Sequence, residues 1–313
     1  MMRETLPRLD TDQALREQLL PLCRLKPGEI WQDSRIGHRV GCLDATDRSA
    51  VESLMQGERT GLMVNDPPYN LCPDNKNTQT LFKYTRERYL DFSGKWITNA
   101  VSVLEDHAHF YIWLGADQNN GFQPLADIMV YMRGFEELKS RSFITMRNQR
   151  GYGTQKNWMS VRQELLYYVK GSPDFSVVYT EIPKVLKGYY KTIRGRPVEN
   201  LERGKSPFIR AGNVWMDIQQ VFYRMQENVP GAYAQKPLKA LLRILKAGRA
   251  ACGPVVDLFS HSGTTLLAAE LQGRRCFTSD YDPLFAEITI RRLEYFRKTG
   301  KTGFQCRNPF AVS

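Results

Sequence analysis

No run of apolar residues in this 313-residue sequence reaches the ~18–20 needed to cross a bilayer, which argues against a spanning helix. The first residues, with Arg3, Glu4, Arg8, Asp10 and Asp12 close together, lack the apolar centre of a secretory signal, so a cytoplasmic protein without a membrane partner is expected. Cysteine is sparse and scattered: Cys23, Cys42, Cys72, Cys252, Cys276 and Cys306 form no Cys-x-x-Cys pair, which excludes a zinc-ribbon spacing and suits reduced thiols. Histidine is scarcer still, with four residues. His107 and His109 would share one face of a strand but have no ligand partners near them in sequence, so a core or surface role is expected and a metal site is not.

Acidic charge is also short. The 44 Lys and Arg outnumber 33 Asp and Glu, a net charge of +11. Such an excess suits a polyanionic partner, because each cation placed on a phosphate releases counterions. Its distribution sharpens the point. Residues Arg133–Lys170 hold eight basic and three acidic residues, and Ser172–Gly212 hold eight and four, so these two stretches carry nine of the eleven net charges. Concentrated charge reads as a docking surface better than an even sprinkling does.

What is present alternates. Strand patterns occur at His38–Leu43, Gly61–Val64, His109–Leu114, Ser142–Arg147, Leu165–Val169, Pro254–Phe259 and Arg275–Ser279, with helical spacing near Arg48–Gln56, Gln123–Gly134, Pro237–Leu245 and after Gly263. That alternation predicts an α/β fold with a mostly parallel central sheet and ligands at the strand carboxyl ends. Residues 1–35 read as a peripheral N-terminal segment, 36–171 and 213–313 as two halves of one domain. Between them Ser172–Gly212, rich in proline and basic residues, reads as an inserted recognition module or a long loop.

Two motifs carry chemistry. Asp66-Pro67-Pro68-Tyr69 follows a short apolar run, and its prolines stop the strand. An exocyclic amine on a nucleobase is a weak nucleophile because its lone pair is delocalised into the ring. A carboxylate at Asp66 and a backbone carbonyl at Pro67 could hold both amine hydrogens, and Tyr69 offers a flat face for a base removed from its stack. A rigid Pro-Pro turn is the plainer alternative. The second motif, Val255–Thr265, is a strand, a small-residue turn and a helix start. Backbone can approach a ligand closely at such a turn, and no Gly-Lys-Ser/Thr follows to suggest a phosphate loop. Asp280 ends the next strand, where an acidic side chain can take ribose hydroxyls. Without a ligand the same pattern is an ordinary β-α-β unit.

Taken in order, these elements resemble the beta-class S-adenosylmethionine-dependent DNA amino-methyltransferases, the adenine-N6 and cytosine-N4 family. Asp66–Tyr69 resembles its catalytic element and Asp257–Thr265 its cofactor element. Gln235-Lys236-Pro237 matches the tripeptide upstream of the latter, and Val40–Asp44 resembles a Gly-Asp segment near the cofactor adenine. The likeness runs from about Arg39 to Phe296. Leu258 stands in place of a usual proline, and His261 in place of the turn's first glycine. The resemblance implies a Rossmann-like methyltransferase fold, S-adenosyl-L-methionine as cofactor, and no metal, since displacement at a sulfonium is aided by positioning and polarisation.

It also implies roles residue by residue. Asp66, Pro67, Pro68 and Tyr69 are the catalytic set. Phe259, Ser260, His261, Ser262, Gly263 and Thr264 would line the methionine end of the cofactor, with Asp257 near its amino group, Asp280 at the ribose and Asp44 near the adenine. Lys236 would meet the methionine carboxylate or its loop, or else be a solvated charge starting a helix. Residues 172–212 become a target-recognition segment, where Lys184, Lys187, Lys191, Arg194, Arg196, Arg203 and Lys205 would contact double-stranded DNA. Family members with Asp at the first motif position mostly act on adenine, which favours adenine N6 as the target. Cytosine-N4 or RNA methylation, and an inactive nucleic-acid-binding relative, are the rival readings. A homodimer, a separately acting restriction endonuclease of a restriction-modification pair, and nucleoid association while on DNA are further expectations.

Overall fold

The apolar runs become strands of one nine-stranded sheet in a computed structural model that describes residues 6–9, 12–69, 85–115, 124–152, 158–184, 190–199 and 205–311. Its strands are β1 (Ile30–Gln32), β2 (Arg39–Cys42), β3 (Thr60–Asn65), β4 (Leu104–Leu114), β5 (Leu138–Tyr152), β6 (Ser160–Lys170) and, after four strands outside it, β11 (Val214–Trp215), β12 (Val255–Asp257) and β13 (Cys276–Asp280). The outlying four pair as two ribbons, β7 (Tyr179–Pro183) with β10 (Phe208–Arg210) and β8 (Tyr190–Ile193) with β9 (Arg196–Glu199). The large sheet has the order β1-β2-β13-β12-β3-β4-β6-β5-β11, with only β1 and β6 antiparallel to their neighbours. The expected mostly parallel α/β sheet is what forms.

Burial explains why. All residues of β2, β3, β12 and β13 are buried, as parallel strands covered on both faces must be. On one face Leu62, Val64 and Trp113 pack against α5 (Leu238–Ala247), α6 (Thr264–Leu271) and α7 (Pro283–Thr299) through Leu241, Leu266 and Ile290. On the other face Met63, Phe110 and Phe277 meet α2 (Arg48–Met55), α3 (Arg86–Ser102) and α4 (Pro124–Tyr131) through Leu54, Trp96 and Ile128. A short α1 (Gln13–Leu19) joins a third cluster, where Leu19 packs with Phe304 and Ile288 of α7.

Several elements differ from the sequence expectation. The long helix α3 was not anticipated, because Ser93-Gly94 interrupts its stripe of Tyr89, Trp96, Ile97 and Ala100. Yet Gly94 is where Tyr131 of α4 packs, its hydroxyl occupying the space that a Cβ would need. Helix α7 was likewise unread. The 172–212 stretch holds the two short ribbons. Strand β5 extends to Tyr152, well past the expected end at Arg147. No helix among the described residues is long and apolar enough to cross a membrane.

The β1–β2 edge is fastened by charge. Arg297 on α7 bonds Asp33 beyond β1 and Glu270 on α6, and Glu270 also takes the His38 ring nitrogen Nε2 at 2.8 Å. His38 Nδ1 accepts from the Cys276 backbone N–H, so the ring is neutral there, as burial also favours. The hydrogen bonds from Arg297 hold both carboxylates below their ordinary values of 3.8 and 4.5. A depressed folded pKa means that their stabilisation is complete above those values and fades as pH falls through the folded ones. Arg297→Ala is therefore expected to cost about 3 kcal/mol at pH 7, measured by urea denaturation, because it removes the one cation shared by two desolvated carboxylates. Asp33 is then left only backbone N–H donors, Ile36 among them, and Glu270 only His38. The difference from wild type should shrink on acidifying below about pH 4; a constant difference would remove the pair from the balance.

Candidate active site

Strand β12 pairs in parallel with β3, placing Val255 opposite Leu62 and Val256 opposite Met63. From β3 the chain moves through α3 to β4 on one side, and from β12 through α6 to β13 on the other. A crevice opens where the two directions part, above adjacent carboxyl ends. Both sequence motifs leave their strands here. The Asn65 Oδ1 atom accepts the Leu258 backbone N–H at 3.1 Å and so ties one strand end to the other.

The cavity between them is lined by Val64, Asp66, Trp113, Lys236, Leu241, Asp257, Phe259 and the turn Ser260–Ser262 with Thr264 and Thr265. Asp66 sits in its mouth with both carboxylate oxygens engaged: Tyr69 donates its hydroxyl to Oδ1 at 2.7 Å, and Lys236 Nζ lies 2.8 Å from Oδ2. Lys236 is 6% exposed and lies over the rings of Tyr69 and Trp113, which rules out the solvated-charge reading. A buried ammonium needs a carboxylate partner, and Asp66 is that partner. Burial, and then the charge of Asp66, hold the Tyr69 phenol well above its usual 10, so it stays a donor. Gly115, at the end of β4, leaves room for the Tyr69 ring 3.3 Å from where a Cβ would be.

Across the cavity Asp257 accepts the Thr265 hydroxyl at 2.5 Å and the Phe259 backbone N–H at 2.9 Å. Burial outweighs those bonds and pushes its carboxyl up to about 7. The Phe259 ring stands edge-on to Trp96, 5.2 Å between centroids. At the turn, His261 adopts φ 45°, the left-handed region that a glycine would enter freely. Its N–H donates to Asp280 at 2.9 Å, and its ring packs 4.7 Å from Phe285, so this residue is accommodated without unwinding the turn.

Asp280 and Asp44 do not line the cavity. Asp280 accepts the backbone N–H groups of His261 and Asp282, and burial with the neighbouring Asp282 raises its carboxyl to about 7. Asp44 is exposed just past β2, beside β13, and accepts from Thr46. Asp282 is taken up as the N-cap of α7 and as a partner of Arg16.

The sequence reading missed Arg292. Wholly buried on α7, it donates to the Ser262 carbonyl at 2.8 Å and the Thr264 hydroxyl at 2.9 Å, and so braces the turn from behind. Burial lowers its pKa to about 10, which leaves it charged at neutral pH. Gln235 works similarly, bonding Val229 N–H and the Glu227 carbonyl to set the approach to Lys236. Trp113, Val64 and Leu241 also line the cavity unannounced, as does Thr265, which the cofactor element contains without an assigned role; their one sequence signal is a place near a strand end or a helix start.

Of the basic residues in 172–212, Arg194 and Arg196 are exposed at the β8–β9 turn, where Arg194 (φ 51°) and Gly195 (φ 75°) are left-handed. Lys205 is exposed, while Lys184 Nζ is tied to the Ser206 carbonyl at 2.7 Å. Lys191 lies on β8; Lys187 and Arg203 lie outside the described residues. The segment runs beside α5, with Ser176 N–H on the Ala247 carbonyl at one end and Glu181 2.8 Å from Lys239 at the other. It thus reaches the N-terminal end of α5, which Lys236 precedes. His109 bonds the Tyr167 hydroxyl at 2.7 Å and His107 accepts the Ser172 N–H; among the described residues no cluster could hold a metal.

The family described as DNA methylase, of the N6/N4 methyltransferase type, matches residues 60–291. Type II methyltransferase M.HpaI of Haemophilus parainfluenzae is 25% identical over 250 residues, 79% of this chain and 72% of that protein. DNA adenine methyltransferase YhdJ of Escherichia coli (strain K12) is 26% identical over 270 residues, 84% of this chain and 86% of its own. Among solved structures, a putative DNA modification methylase of Thermus thermophilus complexed with S-adenosyl-L-methionine superposes with a TM-score of 0.52 at 21% identity, covering 83% of this chain and 94% of that one. That likeness speaks to fold.

Gly263 has φ 71°, and a Cβ there would stand 3.0 Å from the Thr289 Cα. Gly263→Ala is therefore expected to destabilise the protein by about 2–4 kcal/mol, from left-handed backbone strain plus crowding against α7. Thermal unfolding would check this; an unchanged midpoint would mean that turn and helix separate readily.

Proposed function

This chain belongs to the N6/N4 DNA methylase family, and we propose that it transfers the methyl group of S-adenosylmethionine to the N6 amine of adenine in double-stranded DNA. The observation that carries the reading is the meeting of Asp66, which opens the first motif and is held by Tyr69, with residues of the Asp257–Thr265 motif on one cavity, and Lys236 between them. The lining fits the cofactor chemically. Asp257 offers a carboxylate for an ammonium, Lys236 a cation for a carboxylate, and Phe259 an aromatic wall, while the buried Asn65 Nδ2 beside it has no partner within the protein. When bound, S-adenosylmethionine supplies an electrophilic methyl group on a sulfonium.

Everything else falls to the chain. Asp66 and the Pro67 carbonyl hold the two amine hydrogens, which draws the nitrogen lone pair out of conjugation and aims it. To do so Asp66 gives up at least one resting donor, Tyr69 or Lys236. Once released, the Tyr69 ring is available to stack on the extruded base, a contact worth about 1–3 kcal/mol. Lys236, displaced, stays within the cavity and can meet an anionic group there. Asp257, near neutrality by burial, gains a reason to ionise when a cation arrives. Asp280 orders the turn through His261, and its oxygens remain able to accept hydroxyls; Asp44 stays exposed past β2, where it could meet only a part of the cofactor that extends beyond the cavity.

Adenine is favoured by Asp66 itself and by the Escherichia coli relative named a DNA adenine methyltransferase. The test is to methylate mixed-sequence duplex DNA, digest it and identify the modified nucleoside by mass spectrometry, with RNA in parallel. N6-methyldeoxyadenosine is expected, and Asp66→Ala should cut its yield by orders of magnitude while S-adenosylmethionine still binds by calorimetry. Dominant N4-methyldeoxycytidine, or transfer to RNA alone, would replace the substrate assignment, and normal yield from Asp66→Ala would remove Asp66 from the mechanism.

Residues 172–212 are assigned to target recognition, lying between the halves 36–171 and 213–313; the expected peripheral segment 1–35 is not wholly outside them, since β1 pairs with β2 in the large sheet and Leu25 joins its core. The exposed Arg194 and Arg196 at the β8–β9 turn support this assignment. Neutralising both should weaken DNA binding and flatten its salt dependence by up to ~2 units of slope. An unaltered slope would move the contacts elsewhere on the basic surface.

A further inference from the structure

Strands β5 and β6 are longer than the sheet needs. In register, Thr145, Glu164 and Leu114 lie abreast across β5, β6 and β4, and Leu114 ends β4 one residue past Trp113, which lines the cavity. Past that level the two strands continue as a ribbon, through Arg147 opposite Arg162 to Tyr152 opposite Ser160. Trp158 stands six residues beyond Glu164, up to ~20 Å from that level at the rise of an extended strand. It is 92% exposed and Met159 beside it 61%, while Trp96, Trp113 and Trp215 are buried and Trp31 is half-buried. Arg147 is exposed at the ribbon's base, and Arg162 is 57% exposed although it pairs with Glu164 at 3.0 Å.

We propose that the β5–β6 ribbon is a second DNA-binding element, which enters the groove beside the target and sets Trp158 against bases loosened when that target is extruded. This rests on the DNA-methylating reading above. A base that reaches Asp66 must come from a duplex lying over the cavity, on the side to which the ribbon projects. A two-stranded ribbon fits the major groove, ~12 Å wide. Arg147 and Arg162 stand where phosphates flank such a ribbon, and an exposed aromatic next to an apolar Met is the kind of tip that fills a gap between unstacked bases. The ribbon is distinct from the 172–212 segment in sequence and belongs to the large sheet.

The experiment compares wild type, Trp158→Phe and Trp158→Ala. Acrylamide quenching of the wild-type emission in excess of Trp158→Phe reports Trp158 alone. It should fall sharply when mixed-sequence duplex DNA is added at low salt, with binding confirmed by gel shift. In tritium-methyl transfer, Trp158→Ala should lower the ratio of duplex to denatured-DNA methylation by about tenfold, the scale of one lost aromatic–base stack, with Trp158→Phe restoring much of it. If Trp158 stays fully quenchable with DNA bound, or the ratio is unchanged in Trp158→Ala, the ribbon is not a DNA element even though the enzyme methylates DNA. If wild type neither binds nor methylates duplex or denatured DNA, the functional reading falls and this inference with it.

Discussion

The parallel pairing of β3 with β12 is the constraint on which the site depends. It brings the ends of two strands far apart in sequence to one level, and the Asn65–Leu258 bond, spanning 193 positions, holds them there. Each strand alone delivers half a site: one side a carboxylate and a ring, the other a close turn of backbone. Because both strands are buried on both faces, shifting either would misplace its apolar residues, so packing energy fixes the functional register as well. Arg292 and Gln235 then trim the loops on either side.

Much of this was legible in the sequence because the informative residues are local. Pro67-Pro68 marks a strand end unambiguously, and the small residues around Gly263 mark a strand-to-helix turn. Order along the chain supplied the rest of the family likeness. Contacts between distant positions left no such mark. Nothing near Arg292 distinguishes it from the other basic residues of its helix, and its role appears only where α7 crosses behind the turn. The motif likewise located Lys236 but not its partner. Helix α3 was hidden for a different reason, since Gly94 lowers helical propensity for the sake of a tertiary contact with Tyr131.

His261 shows how a departure from a family pattern can be absorbed. A side chain at a left-handed position carries a strain of order 1 kcal/mol. Here the N–H that this backbone conformation presents is taken by Asp280, and the ring packs on Phe285. The same carboxylate therefore serves the turn as well as its proposed place at the ribose, a coupling invisible when the two motifs are read separately.

The resting state of Asp66 bears on discrimination. Both of its oxygens already accept, one from a hydroxyl and one from an ammonium. Whatever enters must exchange donor for donor, or leave a desolvated carboxylate without its bond. An amino group can make that exchange, whereas the keto oxygen that thymine or guanine presents at the equivalent ring position would set acceptor against acceptor. On the reading proposed above, Tyr69 and Lys236 would serve as place-holders whose displacement a hydrogen-bearing nitrogen repays, and a base presenting an acceptor there would be turned away before any methyl group is at risk.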